Sequence, residues 1–421
     1  VAQAGDITNR GALVAGQNMS LRASGQILNT AQIGSLNGGL SLNATSLVNE
    51  NEITAPGSVS AELSKVLTNS GLIFSGIDLL ASAGQEINNS QTLLQGGTIP
   101  KGLGAQNSLI LNAPKIENIA AQITSQNDKI TLRTQNYVND NGVLQAGTDV
   151  LINTANLSNL NGRIIAVAGN TELNNGQQTG MSVLNNEGGT VQSYLDADIL
   201  ADTIDNQQGL INAANGVLTI SANQDVGATS VDNTNGNLQA ASALSLSAES
   251  LNNTLGHIIQ KNSSGRLTLQ ENSQADAVTS FSGQGGVVQA GGDLNIATHS
   301  LAGASQLSAG HNLNLVYAGD LQEPVLLQAG ADATLKIDGT YKVNVGSGVL
   351  AGGASTITAA NVINSGALIE QNGNLTLTSG TDIYNTGLLS AGRGLSLFLP
   401  GMLSNVQGAI LAQTGSLHIS A

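Results

Sequence analysis

The 421-residue chain contains no cysteine and no tryptophan, and only 2% of its residues are aromatic. Without cysteine it has neither a disulfide scaffold nor a thiolate metal site. So few large side chains cannot fill a broad globular core. Charge is scarce as well: 10% of residues are charged, and 13 basic against 28 acidic side chains leave a formal net charge of −15. Lys and Arg nowhere cluster, so a surface that tracks nucleic-acid phosphates is not expected. An anionic membrane would repel the chain for the same reason. Mild acidity instead favours the solubility of a long, repetitive β protein. No apolar run is long enough to cross a membrane, and no signal peptide opens the sequence. Val1 stands where an initiator Met would be, so the sequence reads as an internal piece of a longer protein.

What is abundant points one way. Apolar residues make up 40% of the chain, nearly all Ala, Leu, Ile and Val, alongside 52 glycines. A disordered chain lacks that aliphatic content. Small aliphatics with Asn, Ser, Thr and Gly suit thin β layers with tight corners.

One period repeats along the chain. Asn9, Asn29, Asn49, Asn69 and Asn89 are evenly spaced, each two residues after Ile7, Ile27, Leu47, Leu67 or Ile87. The aliphatic-x-Asn step returns at Ile116–Asn118, Leu157–Asn159, Val183–Asn185, Ile204–Asn206, Val231–Asn233 and Leu251–Asn253, then at Val362–Asn364, Ile383–Asn385 and Leu403–Asn405. A glycine-bounded element follows, as in Gly11-Ala-Leu-Val-Ala-Gly16, Gly71-Leu-Ile-Phe-Ser-Gly76, Gly142-Val-Leu-Gln-Ala-Gly147 and Gly387-Leu-Leu-Ser-Ala-Gly392. An alternating element closes the unit, as in Leu40-Ser-Leu42, Leu109-Ile-Leu111, Leu313-Asn-Leu315 and Leu375-Thr-Leu377.

Alternation at period two predicts strands with one side chain in and the next out. Three short strands in roughly twenty residues cannot bury their apolar faces alone, but stacked units can. A buried aliphatic is worth about 1.5–3 kcal/mol, so each unit's few inward residues offset its ordering only when stacked. The expected fold is all-β: a right-handed parallel β-helix, a solenoid of about nineteen coils with three short strands each. At the inter-strand spacing of about 4.8 Å this stack extends near 90 Å. Gly and Asn tolerate the left-handed backbone that corners demand, and stacked Asn amides can hydrogen-bond along the column.

Residues 1–421 read as a single β-helix. Coils are regular over 1–95 and 346–421, with insertions and degenerate repeats over 96–345. Gly96–Ser108 reads as an insertion between second and third strands. Gln177–Met181, Asn223–Ser230 and Glu271–Gln284 read as insertions at one shared corner, after a third strand. From His299 to Val345 the Asn step is lost.

The unit Leu-x-Asn, Gly-x-Ile-x-Ala-Gly, Asn/Asp-Leu-x-Leu-x-Ala resembles the haemagglutinin repeat of filamentous haemagglutinin-like exoproteins of two-partner secretion. That family includes adhesins and contact-dependent growth inhibition effectors. The resemblance covers nearly the whole chain. It implies a right-handed β-helical filament, exported through an outer-membrane partner and displayed at the bacterial surface, where it meets a receptor protein or glycan on a target cell. An Asn-Pro-Asn-type secretion motif, a Val-Glu-Asn-Asn boundary and Arg-Gly-Asp are absent; Val48-Asn-Glu-Asn51 holds the boundary's letters in another order.

Signals for chemistry are few. His257, His299, His311 and His418 form no His-x-x-x-His and read as solvated or stacking groups. No nucleophile elbow, phosphate loop or dinucleotide fingerprint is present. No catalytic residue, metal site or cofactor is expected. The densest acidic run is Asp196, Asp198, Asp202 and Asp205. It reads as a solvated edge, or as metal-binding carboxylates of a polysaccharide-degrading β-helix. Distinct shape on a regular scaffold concentrates at interruptions, so these four aspartates and Phe281 form the candidate recognition surface, with an inert spacer as the plainer reading.

Overall fold

The computed structural model describes residues 5–90, 101–176, 180–221, 230–270, 280–303 and 306–421. Strands and turns account for all the regular structure among the described residues. Each coil contains a corner strand ending at Asn, a middle strand and a closing strand. Each pairs in parallel with its counterpart one coil on: Ile7–Asn9 with Gln26–Asn29, Leu13–Ala15 with Gln32–Ser35, and Met19–Arg22 with Leu40–Asn49. The fold is a parallel β-solenoid of about nineteen coils.

The chain falls into two compact units. One comprises Val1–Asp205, Gly209–Ala214 and Asn223–Val226; the other comprises Asn206–Gln208, Asn215–Ala222 and Gly227–Ala421.

In the first unit Ile7, Ile27, Leu47 and Leu67 stand in register one above the next. Ile87, Ile116, Tyr137, Leu157, Leu184 and Ile204 continue the column. From Ile27 onward these side chains are fully buried. The pleat explains the pattern, since alternate residues of each strand point inward and stack on their equivalents.

Three expectations about this unit are corrected. The closing and corner strands do not always separate: Leu40–Asn49 and Val59–Asn69 are continuous, with a register shift between Ala44 and Ser46. An irregularity of one residue there turns the chain without ending the ladder. Gly102–Ala105 is no part of an insertion between second and third strands. It is itself a middle strand, paired with Leu72–Ser75, and residues 91–100 before it lie outside the described residues. The repeat at Val183–Asn185 is shifted by one, because Leu184 stacks on Leu157 and Val183 is exposed. Burying the larger, better-stacked side chain settles that choice.

In the second unit Val231, Leu251, Phe281 and Leu301 form the corresponding column, and Tyr341, Val362, Ile383 and Leu403 form another. Here Ala333–Val343 and Ser355–Asn364 are continuous strands, with a register shift between Ile337 and Thr340. Between His299 and Val345 other residues stand at the Asn step. Gly303, Glu323 and Val343 stand two residues after Leu301, Leu321 and Tyr341. The strand pairing survives where the Asn does not: Leu301 pairs with Phe281, and Leu321 with Tyr341.

Candidate functional site

The evenly spaced asparagines form a hydrogen-bonded spine. In the first unit each Nδ2 donates to the next Oδ1 from Asn9 through Asn29, Asn49, Asn69, Asn89, Asn118, Asn139 and Asn159 to Asn186, at 2.7–2.8 Å. In the second unit Asn206, Asn233 and Asn253 are joined the same way, as are Asn364, Asn385 and Asn405. The second amide hydrogen goes to main chain; Asn69 Nδ2 lies 3.2 Å from Gly71 O and 3.1 Å from Gly102 O. Buried amides need such partners, and a column of identical residues supplies both donor and acceptor.

The corners come in two lengths. In the tight form Asn29, Asn49 and Asn69 bond the carbonyl two residues on. In the wide form Asn139, Asn159, Asn233 and Asn253 bond the carbonyl three residues on. The residue two after the Asn then takes positive φ, as in Asn141 at 53°, Asn161 at 51°, Asn235 at 54° and Leu255 at 54°. In these four coils a glycine follows, and at Gly256 a Cβ would stand 2.1 Å from Asn233 O and 2.6 Å from Asn253 Oδ1; only the corner at Ala120, φ 51°, among the described residues is followed by an alanine, Ala121.

The other corners have their own caps. The single Ser75 Oγ–H is shared between Gly57 O at 3.0 Å and Asp78 O at 2.8 Å. At the equivalent place Gln260 Nε2 donates to Ala241 O, and buried Glu370 accepts the amide hydrogens of Asn372, Gly373 and Gly392. Before the closing strands, Asp78 Oδ1 accepts Ser108 N–H, and Asp149 Oδ1 accepts Asn170 N–H.

The structure does not bring the four aspartates together. Asp196 occupies the same corner as Asp149, where Asn170 Oδ1 accepts its N–H at 3.1 Å. Asp198 points outward from the strand Ala197–Asp205, beside Glu172 of the neighbouring coil. Asp202 is half-buried, with Oδ1 lacking a hydrogen-bond partner. Asp205 is half-buried and pairs with Asn185. Four residues of extended strand separate Asp198 from Asp202 by about 13 Å. Among the described residues no group of three His, Cys, Asp or Glu side chains is arranged to hold a metal ion.

Phe281 is not a surface residue. It is 3% exposed, in register between Leu251 and Leu301, where most coils carry the aliphatic of the corner strand and two carry Tyr137 and Tyr341. Its ring fills core volume and offers nothing to a partner. Met181, which closes the segment Gln177–Met181, is likewise fully buried against Ala201. Of the three expected insertions, residues 177–179, 222–229 and 271–279 lie outside the described residues.

The chain matches no family model, no curated protein and no solved structure. Of what the haemagglutinin-repeat resemblance implies, the fold is borne out: the parallel β-solenoid of about nineteen coils. The His418 ring lies tilted at 58° to that of Phe398, with ring centroids 5.6 Å apart. Sequence reasoning missed Tyr137-x-Asn139, a full member of the spine whose hydroxyl donates to Asn139 Oδ1 at 3.1 Å. The twenty-one residues from Asn118 to Asn139 were the available signal.

Proposed function

We propose that the chain is a non-catalytic filament segment of a secreted, surface-displayed bacterial exoprotein. It acts as a stiff stalk and contact surface for attachment to other cells, in adhesion or in contact-dependent toxin delivery. The observation that carries this reading is the continuous amide spine from Asn9 to Asn186, in which conspicuous polar side chains are spent on stacking one coil on the next. The haemagglutinin-repeat resemblance supplies the setting: export through an outer-membrane transporter, then contact with a receptor protein or glycan. Nucleic acid and membrane insertion play no part in it.

Beads coated with the purified chain should hold target cells above the level of beads coated with an unrelated β protein. Failure to hold cells would reduce the segment to a spacer. Turnover of an acidic polysaccharide with calcium, abolished by Asp198→Ala, would replace this reading with a polysaccharide-degrading enzyme.

A further inference from the structure

The outward face of the middle strands is built of rows, because residues in register stack coil upon coil. Thr54, Phe74, Gly104 and Thr124 form one such row. Leu72 is in register with Gly102 in the row beside it. Both rows therefore lose their side chains in the strand Gly102–Ala105.

The two glycines have different causes. A Cβ on Gly102 would stand 2.2 Å from Gln122 O, and its φ is 142°, so main-chain packing demands glycine there. Gly104 has no positive φ, and its would-be Cβ meets only side chains at close range: Phe74 Cδ2 at 2.8 Å and Thr124 Oγ1 at 3.3 Å. The Phe74 ring leans into the space that a side chain at 104 would fill. The result is an open cleft of about 340 Å³ walled by Leu72 and Phe74, with Gln122, Thr124 and Gln126 at its polar side. That volume is in the about 300–1,000 Å³ range of small-ligand clefts.

The chemistry of the walls narrows the ligand. Main-chain groups of the strand are committed, with Gly102 N–H donating to Gly71 O and both flanking ladders formed, so an added peptide strand has nothing to pair with. Lys101 is the one charged residue in the lining, too little for a polyanion. What remains is a half-buried aromatic wall beside neutral amide and hydroxyl groups. That combination fits a ligand with an apolar C–H face and a ring of hydroxyls. We propose that the cleft between Phe74 and Thr124 binds a pyranose unit of a surface glycan, its C–H face against Phe74 and its hydroxyls toward Gln122, Thr124 and Gln126. This deepens the contact role proposed above and rests on it only for where the glycan is met.

The test uses the full chain and a panel of methyl pyranosides (glucose, galactose, mannose, N-acetylglucosamine), read by saturation-transfer NMR. At least one should receive transfer. Gly104→Thr, which continues the threonine row, should weaken that binding by about tenfold or more at unchanged circular dichroism, and Gln122→Ala should weaken it without touching the aromatic wall. No transfer to any pyranoside, or undiminished binding by Gly104→Thr, overturns the assignment. Bead attachment measured in parallel separates the two readings. A chain that binds sugar but holds no cells keeps the cleft and loses the filament role; one that holds cells and ignores sugars does the reverse.

Discussion

Asn49 Nδ2 donates to Asn69 Oδ1 over 2.7 Å, and both side chains are buried. Asn69→Ala therefore breaks both spine links, taking a partner from the Asn49 amide and from Asn89 Oδ1, and also removes the bonds to Gly71 O and Gly102 O. Each group left short of a partner costs about 1–3 kcal/mol, so for these two a loss of about 2–6 kcal/mol is expected in urea unfolding. Asn9→Ala, at a half-buried link, should cost less. Equal costs at the two positions would mean that burial does not set the worth of a link.

At the corner after Asn253 the strained residue and a glycine with no room for a side chain are adjacent. Leu255 holds φ 54° with an exposed side chain, a conformation that costs a non-glycine residue about 1–2 kcal/mol. Leu255→Gly should raise the urea midpoint, by less than that cost because glycine also loosens the unfolded chain. Gly256→Ala should lower it, since its Cβ would meet Asn233 O at 2.1 Å.

Two aspartates should respond to pH in opposite senses. Desolvation of the carboxyl among the stacked coils, with Glu172 beside it, raises Asp198 above the ordinary value of 3.8 although the residue is exposed. The folded state then holds this proton more tightly than the unfolded state. Its contribution to stability falls as pH rises through the window between the two values. Asp198→Asn should be mildly stabilising at pH 7 and neutral below the unfolded-state value. Asp128 is held below 3.8, chiefly by the Ser108 hydroxyl donating at 2.6 Å. Its stabilisation is present at pH 7 and is lost as pH falls through the depressed folded value. Carboxyl NMR titration of Ser108→Ala should show Asp128 moving upward.

Phe281→Ala should cost about 3–5 kcal/mol, the range for emptying a buried aromatic site. A surface recognition residue at 281 would instead leave unfolding unchanged and alter attachment alone.

Much of this was legible in the residues. Parallel coils, their number and the Asn spine follow from a period that repeats with small slips, because in a solenoid each coil's contacts are those of its neighbours. The slips were less legible. Val183-x-Asn185 and Leu184-x-Asn186 both satisfy the motif, and only stacking on Leu157 and Asn159 chooses between them. Tyr137 escaped notice because an aromatic replaced the aliphatic, while its hydroxyl turned out to serve the spine. Gly102-Leu-Gly-Ala105 looked like loop because its glycines carry no alternation, although Leu103 is buried like its neighbours.

The sequence alone determined the fold class, since period-two alternation within a recurring unit of roughly twenty residues has few ways to bury its aliphatics except by stacking. It also determined where polar residues would be needed in the interior, by placing Asn at the same step coil after coil. Only the tertiary structure decided which side chains share a surface. Asp196, Asp198, Asp202 and Asp205 are close in sequence, yet one sits at a corner where Asn170 caps its N–H, one faces outward and two are half-buried. Phe74 and Gly104 are thirty residues apart, yet they are lateral neighbours. In a parallel stack, proximity follows register between coils, and register is set by the summed packing of all the inward side chains rather than by any local run.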